Sequence, residues 1–279
     1  MGIKLGYLEI FAAAFIWGTI GAFTRWSGLT PLELAFYRVL IAAIALFLIL
    51  PRRERLLLLH TRHGPLIVLA GVLFTLDILL FFYAIHLTSL SNAVLPYNMQ
   101  PLFMVLLAAL LLGEKMQGRY IFALVLAVLG VGVLLAPALI HISYTDITGI
   151  SYALIGAFLL AVIAVIARII NIQSITFVYY QMLIATICLF PFMRVKSVID
   201  FNTIAMVLII SLVHTAFAYI VYYDGLKTVS MQHVVALSYL TPFVAALTGS
   251  FLFQEAITVF TVVGGLIIII NGALVVFRT

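Results

Sequence analysis

The stretch FYRVLIAAIALF, Phe36–Phe47, returns later in the chain as YYQMLIATICLF, Tyr179–Phe190. Tyr37, Leu40, Ile41, Ala42, Ile44, Leu46 and Phe47 reappear as Tyr180, Leu183, Ile184, Ala185, Ile187, Leu189 and Phe190, seven identities in twelve positions. Working outward, Gly6, Phe15 and Arg25 fall in the same register on Gly149, Phe158 and Arg168. Further on the register slips by two, and Ser89, Pro101, Leu106 and Glu114 meet Ser230, Pro242, Leu247 and Glu255. The chain therefore reads as two copies of one hydrophobic unit, residues 1–140 and 141–279, a pattern that points to a membrane carrier built from repeats.

Composition identifies the solvent in which those copies fold. Of 279 residues, 66% are hydrophobic and 8% charged, and the mean hydropathy is +1.32. Soluble domains carry about 25% charged residues. A spanning helix needs about 20 apolar residues. Ten segments qualify: Leu5–Thr24, Leu32–Leu50, Pro65–His86, Ala93–Leu112, Tyr120–Ala136, Ile147–Ile170, Ile175–Met193, Thr203–Leu226, Val234–Phe253 and Ile257–Phe277. Their continuous apolarity excludes a barrel, whose strands would alternate. The first is too long for a signal peptide, lacks a clear cleavage site and is followed by further spans, so it reads as a span. Cys188 within the seventh span reads as a small buried hydrophobe.

The expectation is an all-α integral membrane protein of ten transmembrane helices in one membrane domain. An odd number of spans per copy makes the second copy enter from the opposite side, so the two five-helix repeats are inverted about an axis in the membrane plane. Basic residues orient the bundle. With the N-terminus in the cytoplasm, Lys4, Arg52, Arg53, Arg55, Arg62, Lys115, Arg119, Arg168, Lys227 and Arg278 lie inside, against Arg25, Arg194 and Lys196 outside. This positive-inside bias puts both termini in the cytoplasm. The net charge of +5 follows loop parity and is not gathered on a soluble face, so it does not point to nucleic acid.

A charge near the bilayer centre costs about 2.5–3.5 kcal/mol, so each one needs a reason. Asp77 is the deepest carboxylate, midway along the third span, and its repeat mate is Ala218. His214 lies midway along the eighth. Either suits a proton carrier or a substrate contact, and either suits a neutral side chain bonded to a neighbouring helix. Arg38 sits about 10 Å from the outer end of the second span. It fits a structural interhelical role because its repeat mate is the polar Gln181, although a carboxylate in a cavity would also suit it. Glu33, one turn earlier, is a candidate partner.

The fourth and ninth spans carry the most informative pair of motifs. Pro96-Tyr97-Asn98-Met99-Gln100-Pro101 is matched by Leu237-Ser238-Tyr239-Leu240-Thr241-Pro242. Proline within a helix frees the carbonyl four residues back, so Pro101 and Pro242 predict kinks at symmetric, mid-membrane positions. Trp17 lies well inside the first span beside Gly18 and Gly21, too deep for an interface belt. With Tyr97 and Tyr239 it could wall a cavity for a flat or cationic molecule. Glu114 and Glu255 close the fourth and ninth spans and read as structural caps, with a gate as the alternative.

No GxxxxGK[ST] phosphate loop, HExxH motif or Cys/His cluster occurs, so no cofactor, metal or nucleotide hydrolysis is expected. The scattered histidines do not suggest an enzyme.

These residues resemble the EamA branch of the drug/metabolite transporter superfamily. The likeness rests on Trp17-Gly18, on FYAIHLTSLSNAVLPYNMQPLF…LLLGEK (Phe82–Lys115), and on its echo YYDGLKTVSMQHVVALSYLTPF…FLFQEA (Tyr222–Ala256). The resemblance implies a ten-helix inverted-repeat carrier whose cavity is lined mainly by the first, third, fourth, sixth, eighth and ninth spans. It also implies export of amino acids and related metabolites, or uptake of small solutes. Trp17, Asp77, Tyr97, Asn98, His214, Ser238 and Tyr239 are then the expected substrate contacts, with Asp77 and His214 as candidates for proton coupling. Asp77, His214 and Asp224 depart from a simple pattern and mark a substrate other than a bulk neutral amino acid. The leading expectation is an alternating-access exporter of a small polar or zwitterionic metabolite in a bacterial inner membrane, as monomer or homodimer. An uptake carrier for an organic cation or nucleotide-like metabolite, or a non-transporting receptor or scaffold, is the alternative.

Overall fold

The structure is a computed structural model. It describes residues 2–59, 61–88, 93, 96–113, 118–135, 144–170, 172–194, 200–254, 259, 260, 262–264, 266, 267 and 270. Among these residues all regular structure is helical.

The helices are α1 (Gly2–Ser27), α2 (Pro31–Ile49), α3 (Gly64–Leu87), α4 (Gln100–Leu112), α5 (Gly118–Leu135), α6 (Tyr144–Ile169), α7 (Ser174–Leu189), α8 (Phe201–Thr228) and α9, in two pieces (Met231–Ser238 and Leu240–Phe253). Seven helices among the described residues are long and apolar enough to cross a membrane. They correspond to the first, second, third, sixth, seventh, eighth and ninth expected spans. Most of the tenth expected span, together with Asn92, Glu114 and Glu255, lies outside the described residues.

Local chemistry starts and stops these helices. In the sequence Thr30-Pro31-Leu32-Glu33, the Thr30 hydroxyl accepts from the Glu33 N–H at 3.4 Å, and the Glu33 carboxylate accepts from the Thr30 N–H at 3.0 Å. Pro31 occupies the first turn, where no backbone donor is needed. Glu33 is thus committed to the cap of its own helix and is not the partner of Arg38. Asp200 caps α8 by accepting from the Thr203 N–H at 2.7 Å. At the other end, α4 stops at Gly113 with φ +65° and α9 stops at Gln254 with φ +54°. These two residues are repeat mates, so both copies end in the same left-handed cap.

Packing follows the small residues. Ala13, Ala35, Ala42, Ala70, Ala153, Ala157, Ala161 and Ala164 are buried, which lets helices approach closely where lipid gives no hydrophobic drive between them. Large apolar side chains such as Leu48, Leu110, Phe190 and Phe251 point outward, as a lipid solvent requires. The extensive interfaces join α3 to α6 and α7, α1 to α8 and α9, α2 to α7 and α8, and α4 to α6. One end of the bundle is tied by α1 to α8 (Thr203 to the Ser27 carbonyl, 3.2 Å) and by the Thr88–Asp146 bond. At the opposite end Tyr180 of α7 holds the segment after α2, accepting from Leu58 N–H at 2.9 Å. There too Arg168 of α6 donates to the carbonyls of Leu226 and Val229 at 2.6 and 2.8 Å.

Candidate functional site

A cavity of about 110 Å³ lies between the helices. Its wall takes Trp17, Gly21 and Ala22 from α1, Arg38 from α2, Ile78, Phe81 and Ile85 from α3, Gln100 and Pro101 from α4 with Tyr97 and Asn98 just before it, Leu160 from α6, Tyr219 from α8, and Ser238, Thr241, Ala245, Thr248, Gly249 and Phe253 from α9. Apolar and aromatic walls with a few polar groups are the ordinary make-up of a small-molecule site. On α1, α3 and α9 the lining residues lie toward the C-terminal ends. The ends of α1 and α9 meet there, with the Trp26 and Phe253 rings 5.8 Å apart.

Two interruptions shape the wall. Before α4, Asn98 and Met99 form a turn, and the α-helix restarts at Gln100 with Pro101 in its first turn. In α9 the break is Tyr239, three residues before Pro242. The symmetric prolines thus accompany breaks with fresh starts, which differ from bends in continuous helices. A helix start is where proline does least harm.

The expected residues separate into three groups. Trp17, Tyr97, Asn98 and Ser238 are on the cavity wall. The Trp17 indole packs tilted against Tyr219 and edge-on against Tyr222, with centroids 4.9 and 5.0 Å away, and donates to the His214 carbonyl at 3.0 Å. Asp77 is fully buried directly behind Tyr97, whose hydroxyl donates to both carboxylate oxygens at 3.0 and 3.2 Å. Gly156 of α6 makes room for this pair, since a Cβ there would lie 3.1 Å from Asp77 Oδ1 and 3.3 Å from Tyr97 Cε2. His214 pairs with the Thr19 hydroxyl at 2.9 Å and stacks beside Phe23. Asp77 and His214 therefore take separate partners and do not pair with each other. Tyr239 does not join the wall with Trp17 and Tyr97; it is fully buried within the core. Asp224 sits near Glu9 and Lys227, away from the wall.

Arg38 combines two of the placements considered for it, a bond to another helix and a position on the cavity wall. It is 3% exposed and yet contributes to the cavity wall. Its Nε donates to Thr215 Oγ1 at 2.9 Å, its guanidinium lies 5.4 Å from the centre of the Phe82 ring, and the Tyr219 hydroxyl faces it. No carboxylate among the described residues comes within ion-pair distance of it.

Sequence reasoning also missed Tyr219, Gln100 and the form of α8. Residues Ile210–Phe217 are a π-helix, a wide turn often found at functional sites. Thr215 Oγ1 donates to the Ile210 carbonyl, five residues back, at 2.8 Å. This turn presents Thr215 to Arg38. No hydropathy signal distinguishes it from the flanking α-helix. The tyrosines at 219, 222 and 223, spaced for one helix face, were the available hint. Gln100 stood in the quoted motif beside Pro101; it donates to Tyr222 at 3.3 Å.

The EamA-like transporter family model matches residues 4–136 and again 147–278. The chain belongs to that family. Among curated relatives, it is 27% identical over 198 residues to the pseudopaline exporter CntI of Pseudomonas aeruginosa, covering 68% of this chain and 67% of that one. It is 26% identical over 283 residues to an uncharacterised transporter of Archaeoglobus fulgidus, covering 99% and 97%. The crystal structure of another protein superposes with a TM-score of 0.80 at 19% identity, covering 98% of this chain and 96% of that one, which shows a shared fold. The family and these named relatives are transporters, and none is an enzyme.

Proposed function

We propose that this protein is a secondary transporter that moves a small polar or zwitterionic metabolite through the central cavity by alternating access between two inverted five-helix repeats. Amino acids and their derivatives are the first substrates to test, in the export direction. The observation that carries the reading is the cavity itself: both copies contribute to it, and it holds polar groups at a depth where lipid would tolerate none without a use.

The packing supports the inverted arrangement. Exchanging the halves turns the α3–α6 interface into α8–α1, α4–α6 into α9–α1, and α3–α7 into α8–α2, while α2–α7 maps onto itself; every one of these pairs is in contact. The loop charges support a cytoplasmic N-terminus in a bacterial inner membrane. In that orientation the C-terminal ends of α1, α3 and α9 face outward, and the cavity lies toward the outer side. A relative named as an exporter supports the direction. An organic cation is a poorer fit, because the cation already on the wall, Arg38, would repel it.

Counterflow in liposomes tests this. Reconstituted protein preloaded with an unlabelled amino acid should accumulate the labelled form transiently. Absence of counterflow across amino acids and small metabolites would leave a receptor or scaffold as the better reading.

A further inference from the structure

We infer that Arg38 is the anchor for a single carboxylate of the transported solute, which it takes end-on through its two terminal nitrogens; this rests on the carrier reading above. A guanidinium has five N–H donors. One of them, on Nε, is given to Thr215 and the Tyr219 hydroxyl faces another, so the side-on edge of the fork is engaged and the remaining terminal N–H groups serve a planar, bidentate acceptor. Phe82 and the Tyr219 hydroxyl fix the plane and position of the group. Thr215 is itself held by the Ile210 carbonyl of the π-helix, so α8 supports the fork from behind.

A wholly structural arginine would be expected to carry a carboxylate partner, because a lone charge in the membrane is expensive. Glu33 is used by Thr30, and Asp77, near enough to feel the charge of Arg38, is hydrogen-bonded by Tyr97 instead and makes no ion pair with it among the described residues. No other carboxylate among the described residues completes the pair, and the place of Arg38 on the wall points to one that arrives through the cavity. Among the described residues Arg38 is the single Lys or Arg on the cavity wall. One positive charge matches one carboxylate and not a phosphate dianion. The other hydroxyls in reach along α9 already donate within the protein: Ser238 to Val234, Thr241 to Ala14 and Thr248 to Val244.

The test is the melting temperature of the purified full-length protein in detergent, read against the L-α-amino acids, acetate, lactate and succinate, against the primary amide of each, and against inorganic phosphate. A bound solute raises melting by mass action. At least one acid should stabilise the wild-type protein while its amide does not. Arg38→Gln should raise the half-saturating acid concentration about tenfold or more, and Arg38→Lys, which keeps the charge but loses the fork, should fall between. Equal responses to acid and amide, a stronger response to phosphate than to any carboxylate, no response to any carboxylate, or an unchanged acid response in Arg38→Gln would each overturn the assignment. Should Arg38→Gln fail to fold, Arg38→Lys decides: a weakened acid response supports the fork and an unchanged one overturns it. Counterflow separates the two readings. Acid-selective binding without counterflow removes the carrier and keeps the anion site, whereas counterflow that Arg38→Gln leaves intact removes the anion site and keeps the carrier.

Discussion

Arg38 and Gln181 occupy the same place in two copies of one sequence, and they live in different surroundings. Arg38 is on the cavity wall, braced by Thr215 and Phe82. Gln181 is 0% exposed in the core of α7, near Tyr223. The residues around them, Leu40, Ile41 and Ala42 against Leu183, Ile184 and Ala185, are the same. Duplication preserved the apolar scaffold, and the polar chemistry was placed in one copy. The lesson is that a repeat predicts where helices run, while the deviation between mates predicts where a ligand is met.

The swap of these two residues is the sharpest way to break the comparison. Gln181→Arg places an unpaired charge in a dry core and should abolish folded protein or lower its melting sharply, consistent with a cost of about 2.5–3.5 kcal/mol or more. Arg38→Gln should instead leave a folded protein with a large loss of counterflow. Size-exclusion profiles and transport, measured side by side, check both. Equal loss of fold in the two variants would erase the contrast between the mates and leave the acid response of Arg38→Lys to decide the role of Arg38.

A second contrast lies in how the copies use glycine. A Cβ at Gly18 would meet Val244 Cβ at 2.5 Å and the Thr241 carbonyl at 3.0 Å, so α1 and α9 touch nearly backbone to backbone. Gly18→Ala should cost about 1–3 kcal/mol of stability by forcing these helices apart. Gly156→Ala presses on a softer neighbour, the Asp77–Tyr97 pair, and should change transport more than melting.

Asp77 and its mate Ala218 give a third. If the carboxylate couples protons, transport in liposomes should follow an imposed pH gradient, and Asp77→Asn should flatten that response with Tyr97→Phe acting in the same direction. A flat response in the unmutated protein removes the coupling role.

The caps at Gly113 and Gln254 differ only in residue type. A left-handed conformation costs a non-glycine residue roughly 1 kcal/mol, so Gln254→Gly should raise melting slightly. Gly113→Gln should lower it by a similar amount.

The smallest effect concerns the entries to α3 and α8. His63 provides no side-chain cap for α3, whereas Asp200 caps α8 and the Thr203 N–H holds its carboxyl below the usual carboxylate range. That stabilisation is present above the ordinary carboxylate value and is lost as pH falls through the lowered one. Asp200→Asn keeps the cap and should flatten a slight acid decline in melting.

Much of this was legible in the chain because lipid imposes simple rules. Spans appear as absent charge, and the mid-span Asp77, Trp17 and Tyr97 stood out as exceptions. Their neighbourhood in space was legible only where the repeat aligned the helices that bear them. Arg38 read as structural because its mate is also polar, and sequence separation of 177 residues hid Thr215 as its partner. Tyr239 read as a wall residue together with Trp17 and Tyr97, yet it stands at the break in α9 and is buried in the core. The π-helix had no signature, since width of turn is decided by packing against α2 and α1 and not by local propensity.

That wide turn has a mechanical consequence. Over Ile210–Phe217 the eighth span carries more chain than an α-helix of equal rise would hold. Shifting the wide turn along the helix would swivel by about 100° only the residues it passes, with Thr203 at one end and Lys227 at the other still moored to their neighbours. The stretch of wall that carries Tyr219 is hung on a spindle, able to change the face it shows without letting go of the frame.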